Sequence, residues 1–338
     1  MVYAEILAQA KKNMKSCCAC PICDGRACGS TIPGPGAKGS GDGARRNYNA
    51  WRDIRIAMDT IGSNEPLSTE TNLFGRRFAL PLFAGPVGAV QMHYGDYLDE
   101  ATYDQILVRA CNRAGIAAYT GDGANAQIME AGLSAIAAEN GIGIPTIKPW
   151  DMQTVEQKID QANNAGAFAI AMDIDAAGLP FLRGNASSAG RKSPEELARI
   201  VRMSHVPFIV KGIMTPAAAM KVRDAGAAGI VVSNHGGRVL DGCPATAEVL
   251  CSIVDAVGND MTILVDGGIR SGVDIFRALA LGADGVLVAR PFVTALYGGQ
   301  EVGVMALAKK FQNELADAMF MCGAHDIAGI NRDMIFNA

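Results

Sequence analysis

The chain has 338 residues, 49% of them hydrophobic, enough for one large core. An α/β barrel typically takes about 250 residues, so one barrel domain plus an extension is the first expectation. With 30 basic against 34 acidic residues, a net charge of −4 and no long basic run, neither nucleic acid nor an anionic membrane surface is an expected partner.

The opening Met1-Val2-Tyr3-Ala4-Glu5-Ile6-Leu7 lacks the charged-then-apolar order of a secretory leader. No apolar run is long enough to span a bilayer, so the expected location is cytoplasmic. A short amphipathic helix then leads into Cys17-Cys18-Ala19-Cys20-Pro21-Ile22-Cys23-Asp24-Gly25-Arg26-Ala27-Cys28. Five of the nine cysteines crowd here, which in a reducing compartment points to a metal or redox site over a disulfide framework. Cys17, Cys20, Cys23 and Cys28 follow C-x2-C-x2-C-x4-C, with Cys18 the rival of Cys17. Thiolates at such spacing can converge on an iron–sulfur cluster, with zinc as the alternative. The last spacing departs from the ferredoxin pattern, and free thiols in an arm are the competing reading. Gly29 to Gly43, rich in Gly, Pro and Ser, reads as irregular chain laid over a barrel mouth. Residues 1–75 are therefore assigned to a helix, the cysteine-rich segment and a barrel cover, and residues 76–338 to the barrel itself.

From Pro81 onward short apolar runs alternate with helix-period segments. The runs are 82–84, 116–119, 144–147, 168–172, 208–210, 230–232, 262–265 and 285–288. Helix starts are marked by Asp151, by Ser193-Pro194-Glu195-Glu196 and by Thr215-Pro216, and helix ends by Ala165-Gly166 and Leu281-Gly282. Eight strands alternating with helices predict an α/β fold, a (β/α)8 TIM barrel with an N-terminal cysteine-rich extension. An open doubly wound sheet is the rival, but no G-x-G-x-x-G follows the first run.

Barrel enzymes carry their active sites at the C-terminal ends of the strands, so the residue after each run is a candidate in advance. The rim then reads Gly85-Pro86-Val87-Gly88, Thr120-Gly121-Asp122, Lys148, Asp173, Lys211, Ser233-Asn234-His235, Asp266-Gly267-Gly268 and Ala289-Arg290. Structural needs alone would not gather so many charges on one rim. After the sixth run, a glycine-rich turn carries His235, one of only four histidines, and then Arg238. That is the composition of a catalytic loop. Glycine-plus-arginine loops follow the seventh and eighth runs, where barrels commonly bind phosphate on backbone N–H groups and a forked cation. Asp266 cannot bind phosphate and would accept from the hydroxyls of an attached sugar or ribityl chain.

Val210-Lys211-Gly212, Ser233-Asn234-His235-Gly236-Gly237-Arg238, Asp266-Gly267-Gly268-Ile269-Arg270-Ser271-Gly272 and Arg290-Pro291 resemble the FMN-dependent α-hydroxy acid oxidase and dehydrogenase family, which includes glycolate oxidase and lactate oxidase. The resemblance is dense from Pro207 to Met321. It implies that His235 is the base, that Arg238 binds the substrate carboxylate, and that Lys211 stabilises reduced flavin at its N1–C2=O edge. It implies FMN contacts from Ser233, from Asp266, Gly267, Gly268, Ile269 and Arg270, and from Ala289 and Arg290. Pro86, Val87 and Gly88 look like the family's first-strand loop beneath the flavin. A 2-hydroxy acid substrate and a homo-oligomer, tetrameric by resemblance, come with it. A cluster in the cysteine arm would add an electron-carrier protein as partner.

Chemistry supports those roles independently. An imidazole titrating near neutrality can take the proton of a 2-hydroxy acid. A guanidinium can grip its carboxylate at two points, and a lysine can stabilise an anion formed on reduction. Some residues depart from the family pattern. Two substrate-side tyrosines and a second substrate arginine have no counterpart, Asp175-Ala176-Ala177-Gly178-Leu179 occupying the latter's place. Asp173 stands where the family has threonine and Lys148 near an expected glutamine, so the two are candidates either for flavin contact, with Thr120, or for an ion pair across the rim. Two other functions compete: a non-redox flavin barrel such as type 2 isopentenyl diphosphate isomerase, and a flavin redox sensor.

Overall fold

The computed structural model describes residues 3–182 and 189–336, so the extreme ends of the two expected segments lie outside the described residues. Eight parallel strands close into a barrel in chain order: β1 Leu82–Ala84, β2 Ala117–Thr120, β3 Ile144–Ile147, β4 Ile170–Asp173, β5 Phe208–Ile213, β6 Gly229–Val232, β7 Thr262–Val265 and β8 Gly285–Val288. All eight expected runs are strands, because each couples β-branched or small apolar residues to two-sided burial. Alternate side chains turn inward: Phe83, Tyr119, Ile144, Ile209, Val231 and Leu264 share the barrel interior, while their neighbours face the helices.

The helix signals are local and hold. Asp151 accepts from Thr154 N, Thr215 from Ala218 N, and Ser193 with Glu196 forms a reciprocal capping box. An antiparallel hairpin, Thr71–Leu73 with Arg76–Phe78, closes the N-terminal floor of the barrel. Its Phe78 ring lies 5.1 Å from Phe83, so that end is dry core and the opposite end is left for chemistry.

The chain before the barrel packs onto it. Helix α1, Tyr3–Asn13, crosses the closing helix Arg290–Met321 closely: a side chain at Gly298 would come 2.0 Å from the Ile6 carbonyl. Helix α2, Asp42–Asp53, docks over the mouth through Gly43, Ala44, Asn47 and Trp51. That inner face mixes glycine, alanine and asparagine with the fully buried Trp51, so no apolar run marks it. Gly29–Gly43 does lie over the mouth: Lys38 Nζ donates to the carbonyls of Gly178 and Val239, and Ser40 binds the Asp241 carboxylate. Among the described residues no helix is long and apolar enough to cross a membrane.

Candidate active site

The β6 strand leads into the His235 loop through an unusual backbone. His235, Gly236 and Gly237 all have positive φ, at 57°, 63° and 82°. For His235 this is a strained conformation, held because the surroundings over-determine it. Its N–H donates to Ser233 Oγ at 3.1 Å. Asn234 exchanges reciprocal amide bonds with Asn47 of α2, at 2.7 and 2.9 Å, and accepts from Gly237 N–H. Asn47 backs the loop after β7 as well, where a side chain at Gly268 would come 2.2 Å from the Asn47 carbonyl. Gly268 is thus required by the docking of α2, a reason additional to phosphate approach.

Two carboxylates meet His235 below the mouth. Its Nδ1 lies 3.0 Å from Asp175 Oδ1 and 3.4 Å from Asp173 Oδ1, so the carboxylates orient the ring and leave Nε2 for chemistry. Asp173 also takes Lys148 Nζ at 2.6 Å and Lys211 Nζ at 3.0 Å, and Lys211 stands 3.8 Å from Asp266. Burial would push the Asp173 carboxyl up, but His235, Lys148 and Lys211 outweigh it and hold it well below the usual range. Lys211 would be lowered by burial, yet Asp173, Asp175 and Asp266 hold it above its ordinary value. Burial raises Asp175 and Asp266 against the pull of Lys211. The ion pair across the rim between Lys148 and Asp173 therefore forms. Asp122 is satisfied structurally, by Lys158, Trp150 and the N–H of Lys148.

Above this cluster opens a cavity of about 810 Å³. Its wall includes His235, Arg238, Lys148 and Lys211, the β1 loop Pro86, Val87 and Gly88, and Asp266, Gly267, Gly268, Arg270, Ala289 and Arg290. Four expected cofactor contacts stand off that wall. Thr120 belongs to β2 itself, on the Ala118 side, so it faces the helices, packed against Gly132. Ile269 is core, Ser233 is buried beneath the loop, and Asp173 lies one layer down behind Lys148.

The sequence matches the FMN-dependent dehydrogenase family over residues 35–181 and 181–337. The chain belongs to the FMN-dependent dehydrogenase family. It is 33% identical to an L-lactate dehydrogenase of Pectobacterium atrosepticum over 347 aligned positions, covering 86% of this chain and 88% of that protein. A shorter stretch of 141 positions, 42% of this chain and 38% of the relative, is 46% identical to an L-lactate oxidase of a Roseobacter species. Among solved structures, mandelate oxidase with (S)-2-phenylpropionate superposes with a TM-score of 0.80 at 28% identity, over 99% of this chain and 97% of that one.

The FMN-dependent dehydrogenase site fits its cofactor on its own terms. Asp266 Oδ1 is buried without a partner among the described residues, an acceptor waiting for a hydroxyl. Arg270 and Arg290 share a wall with Gly267 and Gly268, the donor set for a phosphate. The volume lies within the roughly 300–1,000 Å³ common for ligand sites.

Two residues of the site escape a sequence reading. Asp175, in the turn two positions past the end of β4, holds His235 from 60 residues away. His93 lines the same cavity, and its Nδ1 accepts from Gly34 N–H at 3.0 Å, pinning the mouth loop. Burial, then the cations of Arg238 and Lys148, lower His93 from 6.5 to about 4. Between those values the unfolded chain binds a proton that the folded chain refuses, so this contribution is complete above pH 6.5 and lost as pH falls to about 4. It amounts to about 3 kcal/mol. Urea unfolding at about pH 7 and about pH 4.5 should show a smaller acid loss in His93→Gln than in wild type. Equal losses would refute the assignment.

Proposed function

We propose that this FMN-dependent dehydrogenase oxidises a small 2-hydroxy acid to the 2-oxo acid, with His235, Arg238 and Lys211 as its catalytic residues. The observation that carries the reading is the convergence of an imidazole, a guanidinium and a buried ammonium on one cavity. Bound FMN supplies the two-electron acceptor.

Because Asp175 occupies Nδ1, His235 takes the substrate proton on Nε2. Arg238 donates through Nη1 to the carbonyls of Gly34 and Gly36, both at 2.7 Å. Its Nε and Nη2 make no bond to the described residues, and these two N–H groups form the side-on fork that matches a carboxylate. Lys211 keeps its charge and faces the negative charge that reduction brings into the cavity. Pro86, Val87 and Gly88 support the flavin, Asp266 meets its ribityl hydroxyls, and Arg270 and Arg290 meet its phosphate. The names of the relatives, lactate and mandelate enzymes, support this substrate class. A homo-oligomer, tetrameric by family resemblance, accompanies the reading.

Anaerobic addition of glycolate, L-lactate or mandelate should bleach the flavin. A flavin-loaded protein bleached by none of them would falsify the reading and leave the isomerase and sensor functions standing. Arg238→Lys should raise KM about 10- to 100-fold, the loss of a charged hydrogen bond of roughly 1.5–3 kcal/mol. A steady-state titration with an unchanged KM would remove Arg238 from the carboxylate site.

A further inference from the structure

We infer that the N-terminal cysteine segment binds a cuboidal iron–sulfur cluster through Cys17, Cys20, Cys23 and Cys28, beside the flavin cavity. The segment lies outside the sequence match to the family model, which begins at residue 35.

It is a built site and not a loose arm. Gly25 packs on α2 so closely that a side chain there would come 2.8 Å from Ala44 Cβ, and the Cys23 carbonyl accepts from Arg270 Nε at 2.7 Å. Five thiols, of Cys17, Cys18, Cys20, Cys23 and Cys28, line one cavity of about 300 Å³, and none is in a disulfide. That volume is more than a single ion requires.

The chemistry of the wall selects the ligand. A tetrahedral zinc with Zn–S near 2.3 Å draws its sulfurs to within about 3.8 Å of one another. Among the described residues no three cysteine sulfurs lie mutually within 4.8 Å, so no zinc cage is preassembled. A cluster binds each sulfur to a different iron and holds them farther apart. An all-thiolate cluster is also anionic, and Arg270 and Arg290, on this wall, meet no carboxylate, bonding only to backbone carbonyls. Cys17 is the better fourth ligand, since it is half-buried and packed against the core whereas Cys18 is exposed.

Tyr94, Arg270 and Arg290 line both cavities, so a single layer of side chains separates the cluster site from the flavin site. Resting on the proposed hydroxy acid oxidation, this makes the cluster an electron outlet. One 2-hydroxy acid becomes one 2-oxo acid with release of two electrons and two protons. The cluster takes the electrons singly, each passing on to a one-electron carrier protein, which is reduced twice per turnover, and the protons go to solvent.

The test uses the full chain isolated without oxygen. Iron and sulfide are expected in equal amounts, about four of each per chain. They should be lost in Cys20→Ser with FMN retained, and kept in Cys18→Ser. Stoichiometric zinc, or neither metal, overturns the site, as does a Cys20→Ser protein that keeps its iron and sulfide. Loss in Cys18→Ser overturns the choice of Cys17. Should Cys20→Ser not fold, the iron and sulfide content of the wild-type chain decides alone. With cytochrome c as the one-electron probe, reoxidation of the substrate-reduced protein should be at least tenfold faster in wild type than in folded Cys20→Ser, and equal rates overturn the outlet. A loaded cluster that dithionite reduces, beside a flavin that no hydroxy acid bleaches, upholds the site and counts against the hydroxy acid reading instead.

Discussion

His235→Ala should keep its FMN and lose reduction by substrate, by about 10²–10⁴ in rate, the usual contribution of a positioned proton acceptor. The flavin should stay because the ring is not what holds the loop. That work falls to the His235 N–H bond to Ser233 Oγ and to the amide exchange between Asn234 and Asn47, all of which survive truncation. What disappears is Nε2, the one ring nitrogen that Asp175 leaves available. Stopped-flow reduction under nitrogen reads the effect directly. Reduction at the wild-type rate would remove His235 from the role of base.

Asp173→Asn should cost stability as well as activity, about 3–5 kcal/mol if it behaves as a buried ion pair broken on one side. The carboxylate is almost wholly buried and receives both Lys148 and Lys211. A neutral amide would leave two ammonium groups without the carboxylate that bonds both, with Asp175 and Asp266, the latter 3.8 Å from Lys211, as the remaining nearby carboxylates. Since the folded carboxyl titrates below its ordinary 3.8, its contribution is complete above that pH and is lost only as pH falls through the lower folded value. The deficit of the variant should therefore be present at neutral pH. Urea midpoints at neutral pH check this, and Asp173→Asn with Lys148→Gln should recover part of the loss by removing one of the stranded charges. Equal midpoints for wild type and Asp173→Asn would show that this carboxylate does not tie the rim together.

The two results separate the layers of the site. His235 and Arg238 face the cavity, where the proposed mechanism has them act on substrate, whereas Asp173 lies beneath and bonds both lysines above it.

The amino-acid sequence alone determined the barrel, its strands and the placing of His235 and Arg238 at the end of the sixth, because those features are local. Side-chain alternation defines a strand, and Ser193, Thr215 or Asp151 caps a helix through its own N–H groups three residues on. Only the tertiary structure decided which of the rim residues meet. Thr120 faces the helices because β2 runs through it, and strand parity is invisible until the strand's last residue is known. Asp175 reaches His235 across 60 positions, Asn47 reaches Asn234 across 187, and Arg238 finds the carbonyls of Gly34 and Gly36 more than 200 residues away. Contacts of that range depend on barrel closure and on the docking of α2, so no stretch of sequence contains them.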